Sequence, residues 1–89
     1  MPQVTFTPNL QRHLACPPRA VPGRTVAATL QAVFADNPVL RGYVLDDQGQ
    51  LRRHVTIFID GRMIYDRARL TDPVREDSEI FVVQALSGG

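Results

Sequence analysis

The 89-residue chain contains no lysine and no tryptophan, a single cysteine and two histidines. One cysteine excludes an internal disulfide framework, a cysteine-rich zinc site and a four-thiolate iron–sulfur cluster. No apolar run approaches the ~18 residues of a membrane span, and Met1-Pro2-Gln3-Val4-Thr5 lacks the basic-then-apolar form of a secretory signal, so a cytoplasmic protein is expected. All ten basic residues are arginine, against nine acidic residues, for a net charge of +1. That balance speaks against a nucleic-acid binder, which needs a clustered positive excess. The plain reading of arginine in place of lysine is a GC-rich genome, and the functional one is avoidance of lysine amines. The chemical consequence stands regardless of cause: no side-chain ε-amine is offered for an isopeptide bond.

What is present fits one small domain. A chain of this length buries only about 60–65 % of its unfolded surface, so almost every apolar run has to contribute to the core. The 44 % hydrophobic and 21 % charged content is ordinary for a globular chain and excludes wholesale disorder. Five of the seven prolines fall within the first 22 residues, so the opening third reads as extended chain and edge strand rather than helix. Val4-Thr5-Phe6 alternates like a first strand, and Arg19-Ala20-Val21 is a weak second. Thr25 is placed as an N-cap, and Val26, Leu30, Val33 and Phe34 recur as one helical stripe that Asp36-Asn37-Pro38 should stop.

Beyond the helix, the pattern weakens from Val39 to Arg53. His54 to Ile59 then reads as an internal strand, apolar on both faces. Asp60-Gly61 is a two-residue hairpin turn leading into Arg62-Met63-Ile64-Tyr65. After a polar stretch, Ile80 to Leu86 is a second strongly apolar strand, predicted to lie in the middle of the sheet with a helix on one face. The expected fold is therefore α+β: a mixed sheet of about four to five strands with one main helix packed on one face. Residues 1–86 form the domain, followed by a flexible Ser87-Gly88-Gly89 tail.

Conventional catalytic candidates are thin. Cys16 precedes Pro17-Pro18 with no base at hand, and His13 and His54 lie in different elements without metal-ligand spacing. Glu76-Asp77-Ser78-Glu79 and Asp46-Asp47 lack the alternating oxygen ligands of a calcium loop and read as solvated turns. The informative feature is the diglycine just beyond a central strand. Two residues without Cβ can thread a narrow channel and present an unshielded carboxylate. Such a carboxylate can attack the α-phosphorus of ATP to give an acyl-adenylate open to a sulfur or amine nucleophile.

The β-β-α-β-β-β order, the Asp60-Gly61 hairpin and the ending Phe81-Val82-Val83-Gln84-Ala85-Leu86-Ser87-Gly88-Gly89 resemble the MoaD/ThiS sulfur carrier proteins, over nearly the whole chain. Leu51 to Asp60 and Thr7 to His13 look most like the CysO-like branch. Gln84 and Leu86-Ser87 depart from the proline-or-small residues often found before the diglycine. The resemblance implies a ubiquitin-like β-grasp and a carrier rather than an enzyme. Gly89 would be adenylated and then thiocarboxylated, while Gly88, Ser87 and Leu86 enter partner active sites. The implied partners are an E1-like adenylating enzyme that consumes ATP, a sulfurtransferase or sulfide source, and a downstream sulfur-accepting synthase of cysteine, thiamine, molybdopterin or related metabolism. No bound cofactor, metal, nucleic acid or membrane is implied.

Phe58, Phe81 and Val83, with Leu86, are candidates for the docking surface, core packing being the competing reading for the two phenylalanines. Arg52, Arg53 and Arg62 are candidates for charge steering toward an acidic partner. Two other readings stay open: a ubiquitin-like modifier conjugated through Gly89, and a non-catalytic β-grasp binding module.

Overall fold

The computed structural model describes residues 1–6 and 18–84. Among these residues, five strands and two helices run in the order β1 (Gln3–Phe6), β2 (Arg19–Ala20), α1 (Val26–Asp36), α2 (Pro38–Val44), β3 (Val55–Ile59), β4 (Arg62–Met63) and β5 (Glu79–Gln84). They form one mixed sheet in the spatial order β2-β1-β5-β3-β4. The last of these strands sits at the centre, parallel to β1 and antiparallel to β3. This is the arrangement the apolar run from Ile80 demands, because a strand so rich in β-branched residues is stable only with neighbours on both sides.

Helix α1 starts where the sequence places its cap: the Thr25 hydroxyl accepts a hydrogen bond from the Ala28 amide at 3.2 Å. Just before it, Gly23 has φ +149, and a Cβ there would meet the Thr29 amide nitrogen at 2.8 Å, so only glycine fits against the first turn. The stripe Val26, Leu30, Val33 and Phe34 is buried against Val4, Phe6, Val55, Ile57, Ile80 and Val82 of the sheet. At roughly 1.5–3 kcal/mol for each large side chain removed from water, this layer is the main stabilising contribution.

One expectation is corrected. Asp36-Asn37-Pro38 ends the first helix but not the helical region, because Pro38 opens α2. Proline is tolerated in a first turn, where its missing N–H would have no intrahelical partner. Leu40 and Val44, one turn apart, are buried and fix α2 on the core. The Asp60-Gly61 turn is as expected: φ is +50 at Asp60 and +86 at Gly61, the left-handed pair that a two-residue hairpin requires. The turn is clamped to the start of β5, with the Glu79 amide donating to Asp60 Oδ1 at 2.9 Å and the Asp60 amide donating to the Glu79 carbonyl at 2.9 Å. That bond to the Glu79 amide is the first reason the Asp60 carboxyl titrates below its ordinary value.

Candidate functional site

The helices cover one face of the sheet, and the strand registers define what lies on the other. Thr5 pairs with Phe81, Phe81 with Phe58, and Phe58 with Met63, so one row crosses β1, β5, β3 and β4. The neighbouring row pairs Thr56 with Val83. Strand side chains alternate between faces, so this set stands opposite the buried set Val4, Ile80, Ile57 and Val82. Phe81 is 41 % exposed and Met63 57 % exposed, while Phe58 and Val83 are half-buried. Core packing is therefore the wrong reading for Phe81. The alternation of β5, with Ile80 and Val82 buried and Phe81 exposed, is matched on its neighbour β3, an internal strand as expected, where Val55 and Ile57 are buried and Phe58 is half-buried on the opposite face.

Met63 belongs to this surface and was not among the residues singled out from sequence. The signal was available: a two-residue Asp60-Gly61 turn pins the register, which places Met63 opposite Phe58. Tyr65, 93 % exposed, lies just past β4. Phe81 and Met63, with the half-buried Phe58 and Val83, thus form an apolar row on the open face of the sheet.

The basic candidates separate. Arg53 and Arg62 are exposed. Arg52 is tethered, its Nε donating to the Gly42 carbonyl of α2 at 2.8 Å. Arg67, not anticipated, braces the entry to β3 by donating to the carbonyls of Arg52 at 2.8 Å and Val55 at 2.6 Å. Val55 pairs with Gln84, so the braced segment borders the point where β5 leads into the C-terminal residues. His54 is exposed in the turn before β3.

Cys16 and His13 lie outside the described residues, as do Leu86, Ser87, Gly88 and Gly89. Among the described residues, no group of three or more His, Cys, Asp or Glu side chains is placed to hold a metal ion. Asp46 behaves as a turn residue, accepting from the amides of Gln48 and Gln50 at 2.9 and 3.0 Å. No helix among the described residues is long and apolar enough to cross a membrane.

Together, a central β5, a helix on one face and an apolar open face define a ubiquitin-like β-grasp. Solved structures share it over nearly their full length. SAMP1 from Haloferax volcanii is 22 % identical with a TM-score of 0.79, covering 99 % of this chain and 98 % of that one. A chain of the Amycolatopsis orientalis BexX/CysO complex is 16 % identical with a TM-score of 0.84, covering 100 % of both. Mycobacterium tuberculosis CysO is 17 % identical with a TM-score of 0.81, covering 97 % of this chain and 100 % of that one. No family model matches the chain, and no curated protein matches it. At these identities the likeness establishes the fold, and the CysO structures are among those that share it.

Proposed function

We propose that the chain is a small sulfur carrier whose Gly89, terminal in the active form, bears the reactive carboxylate. The observation that carries this reading is the placement of β5. The strand that leads to Ser87-Gly88-Gly89 is the central strand of the sheet, held by β1 and β3, and its open side displays Phe81 and Val83 beside Phe58 and Met63. A partner gripping that surface receives the C-terminal residues from a rigid base. The likeness to CysO structures, one of them in a complex with BexX, supports the same reading.

The chemistry requires little of the carrier. A carboxylate oxygen of Gly89 attacks the α-phosphorus of ATP on an E1-like enzyme, and pyrophosphate leaves. Hydrosulfide, from sulfide or a sulfurtransferase, then attacks the acyl carbon, and AMP departs to leave a thiocarboxylate. An acceptor synthase takes the sulfur. The carrier supplies no acid, base or metal; it supplies an unhindered acyl group and the docking face.

The test is intact mass after incubation with an E1-like enzyme, ATP and sulfide. One oxygen-for-sulfur exchange is expected on the full chain and none on a chain lacking Gly89. No exchange, with the enzyme competent on another carrier, would leave a plain binding module. A second reading is favoured by the likeness to SAMP1, a small archaeal modifier protein: conjugation of Gly89 to amines of other proteins. It shares the adenylation step. Heavier, reductant-resistant bands on immunoblots of host lysate would identify it.

A further inference from the structure

On the helical side of the molecule, away from the open sheet face, a cavity of about 190 Å³ opens between α1, α2 and two loops. Leu30 and Phe34 of α1, with Leu45 and Leu70, form its apolar floor, and Arg41 and Arg69 stand at its rim. Both arginines are exposed, and neither guanidinium has a hydrogen bond or ion pair among the described residues. The carboxylates of Asp46 and Asp66 direct their hydrogen bonds to other groups, not to these guanidinia. Asp46 accepts from the amides of Gln48 and Gln50. Asp66 accepts from those of Ala68 and Arg69 and from the Thr71 hydroxyl. Two guanidinium forks without a direct partner among the described residues thus flank an apolar opening.

The loop that presents this rim is held under strain. Leu70 has φ +57, a left-handed conformation that is unfavourable for a residue with a Cβ. It is pinned there by its amide donating to the Asp66 carbonyl at 3.0 Å and its carbonyl accepting from the Ala27 amide at 2.9 Å. The bend turns Leu70 inward, where it is buried, while the adjacent Arg69 remains at the surface. Strain fixed by surrounding bonds is a recurrent property of ligand-gripping segments.

We propose that this cavity is a docking site for an acidic peptide segment of a partner protein, which places one aliphatic side chain on the apolar floor. Arg41 and Arg69 bind carboxylates on either side of that residue. The volume argues for a single side chain, since pockets for whole small molecules start at about 300 Å³. Charge complementarity argues for carboxylates, which the planar guanidinium engages with paired hydrogen bonds. Because the site lies on the helical side, a protein held there leaves the open sheet face free for another. The inference does not depend on the carrier reading.

The experiment titrates the ¹⁵N-labelled full chain with the peptide acetyl-Glu-Leu-Glu-amide. Saturable amide shifts are expected at Ala27, Gln31, Arg41, Gly49 and Leu70, with none at Phe58 or Phe81. The Arg41→Gln and Arg69→Gln chains, whose own spectra report that they are folded, should each bind about 3–10-fold more weakly. The peptide acetyl-Gln-Leu-Gln-amide should shift nothing. Equal shifts with the glutamine peptide, shifts confined to the sheet face, or no shift at millimolar peptide would each overturn the proposal.

Discussion

The two faces of the sheet are built from similar residues and have opposite fates. Ile80 and Val82 of β5 are sealed beneath α1, while Phe81, between them, is 41 % exposed. On β3, Ile57 is sealed and Phe58 is only half-buried. The difference lies in what the chain supplies as cover. Two helices, α1 and α2, pack on one side, and among the described residues no element lies across Phe81 and Met63. Apolar character along a strand therefore reports position within the sheet, not coverage of both faces. The uncovered face is where a partner gains most from contact.

That contrast can be broken by substitution. Ile80→Ala removes a side chain from the sealed face and should cost about 2–5 kcal/mol in urea unfolding, against a total of about 5–15 kcal/mol for a domain of ordinary stability. Phe81→Ser, its neighbour, should change unfolding free energy by only about 1 kcal/mol, the scale of a lost cross-strand pair. If the chain is the sulfur carrier proposed above, the same substitution should lower kcat/KM for its adenylation by an E1-like enzyme at least tenfold, about 1.4 kcal/mol of recognition. Equal losses of stability at the two positions would remove the distinction between the faces.

A third measurement concerns the loop beneath Leu70 on the sealed side. The Thr71 hydroxyl, donating at 2.6 Å, and the backbone amides of Arg69, Thr71 and Ala68 hold the Asp66 carboxyl down to about 2, from an ordinary value of 3.8. A lowered folded-state value means that the ionised form stabilises the fold. The contribution is complete above about pH 4 and is lost as pH falls toward 2. Acid unfolding followed at the Leu70 and Thr71 amides should show this loss, and Asp66→Asn should flatten the profile between those limits. The smallest effect belongs to Arg19–Asp36, a 2.8 Å ion pair between edge strand β2 and the end of α1. Both partners are well exposed, so Asp36→Asn should cost about 0–0.5 kcal/mol and less in high salt.

Much of this architecture is legible in the sequence, and the exceptions have physical reasons. The Thr25 cap, the stripe from Val26 to Phe34 and the Asp60-Gly61 turn act through local chemistry, and each occurs where the pattern puts it. The short second helix is harder to see, because Pro38 reads equally well as a stop and as a first residue, and Gly42 thins its apolar pattern. Phe81 is ambiguous because a strand's period of two assigns faces without saying which is covered. The cavity between Arg41 and Arg69 is illegible for another reason. It depends on a left-handed Leu70 set by a hydrogen bond to the Asp66 carbonyl and one from the Ala27 amide, and no local propensity favours that conformation in leucine.

The parallel pairing of β1 with β5 has a kinetic consequence. Gln3 lies opposite Glu79, so the first strand finds its principal neighbour only after most of the chain has been synthesised. Contacts this distant in sequence slow folding, because loop closure must precede any gain from pairing. While the ribosome is still working, β1 and β2 have no centre to assemble around, and their apolar side chains wait exposed. A nascent chain interrupted before Ile80 lacks the keel of its sheet and belongs to the proteases and chaperones. Pairing of β1 and closure of the sheet thus wait for one strand, so a polypeptide with β5 in place has already passed its own inspection.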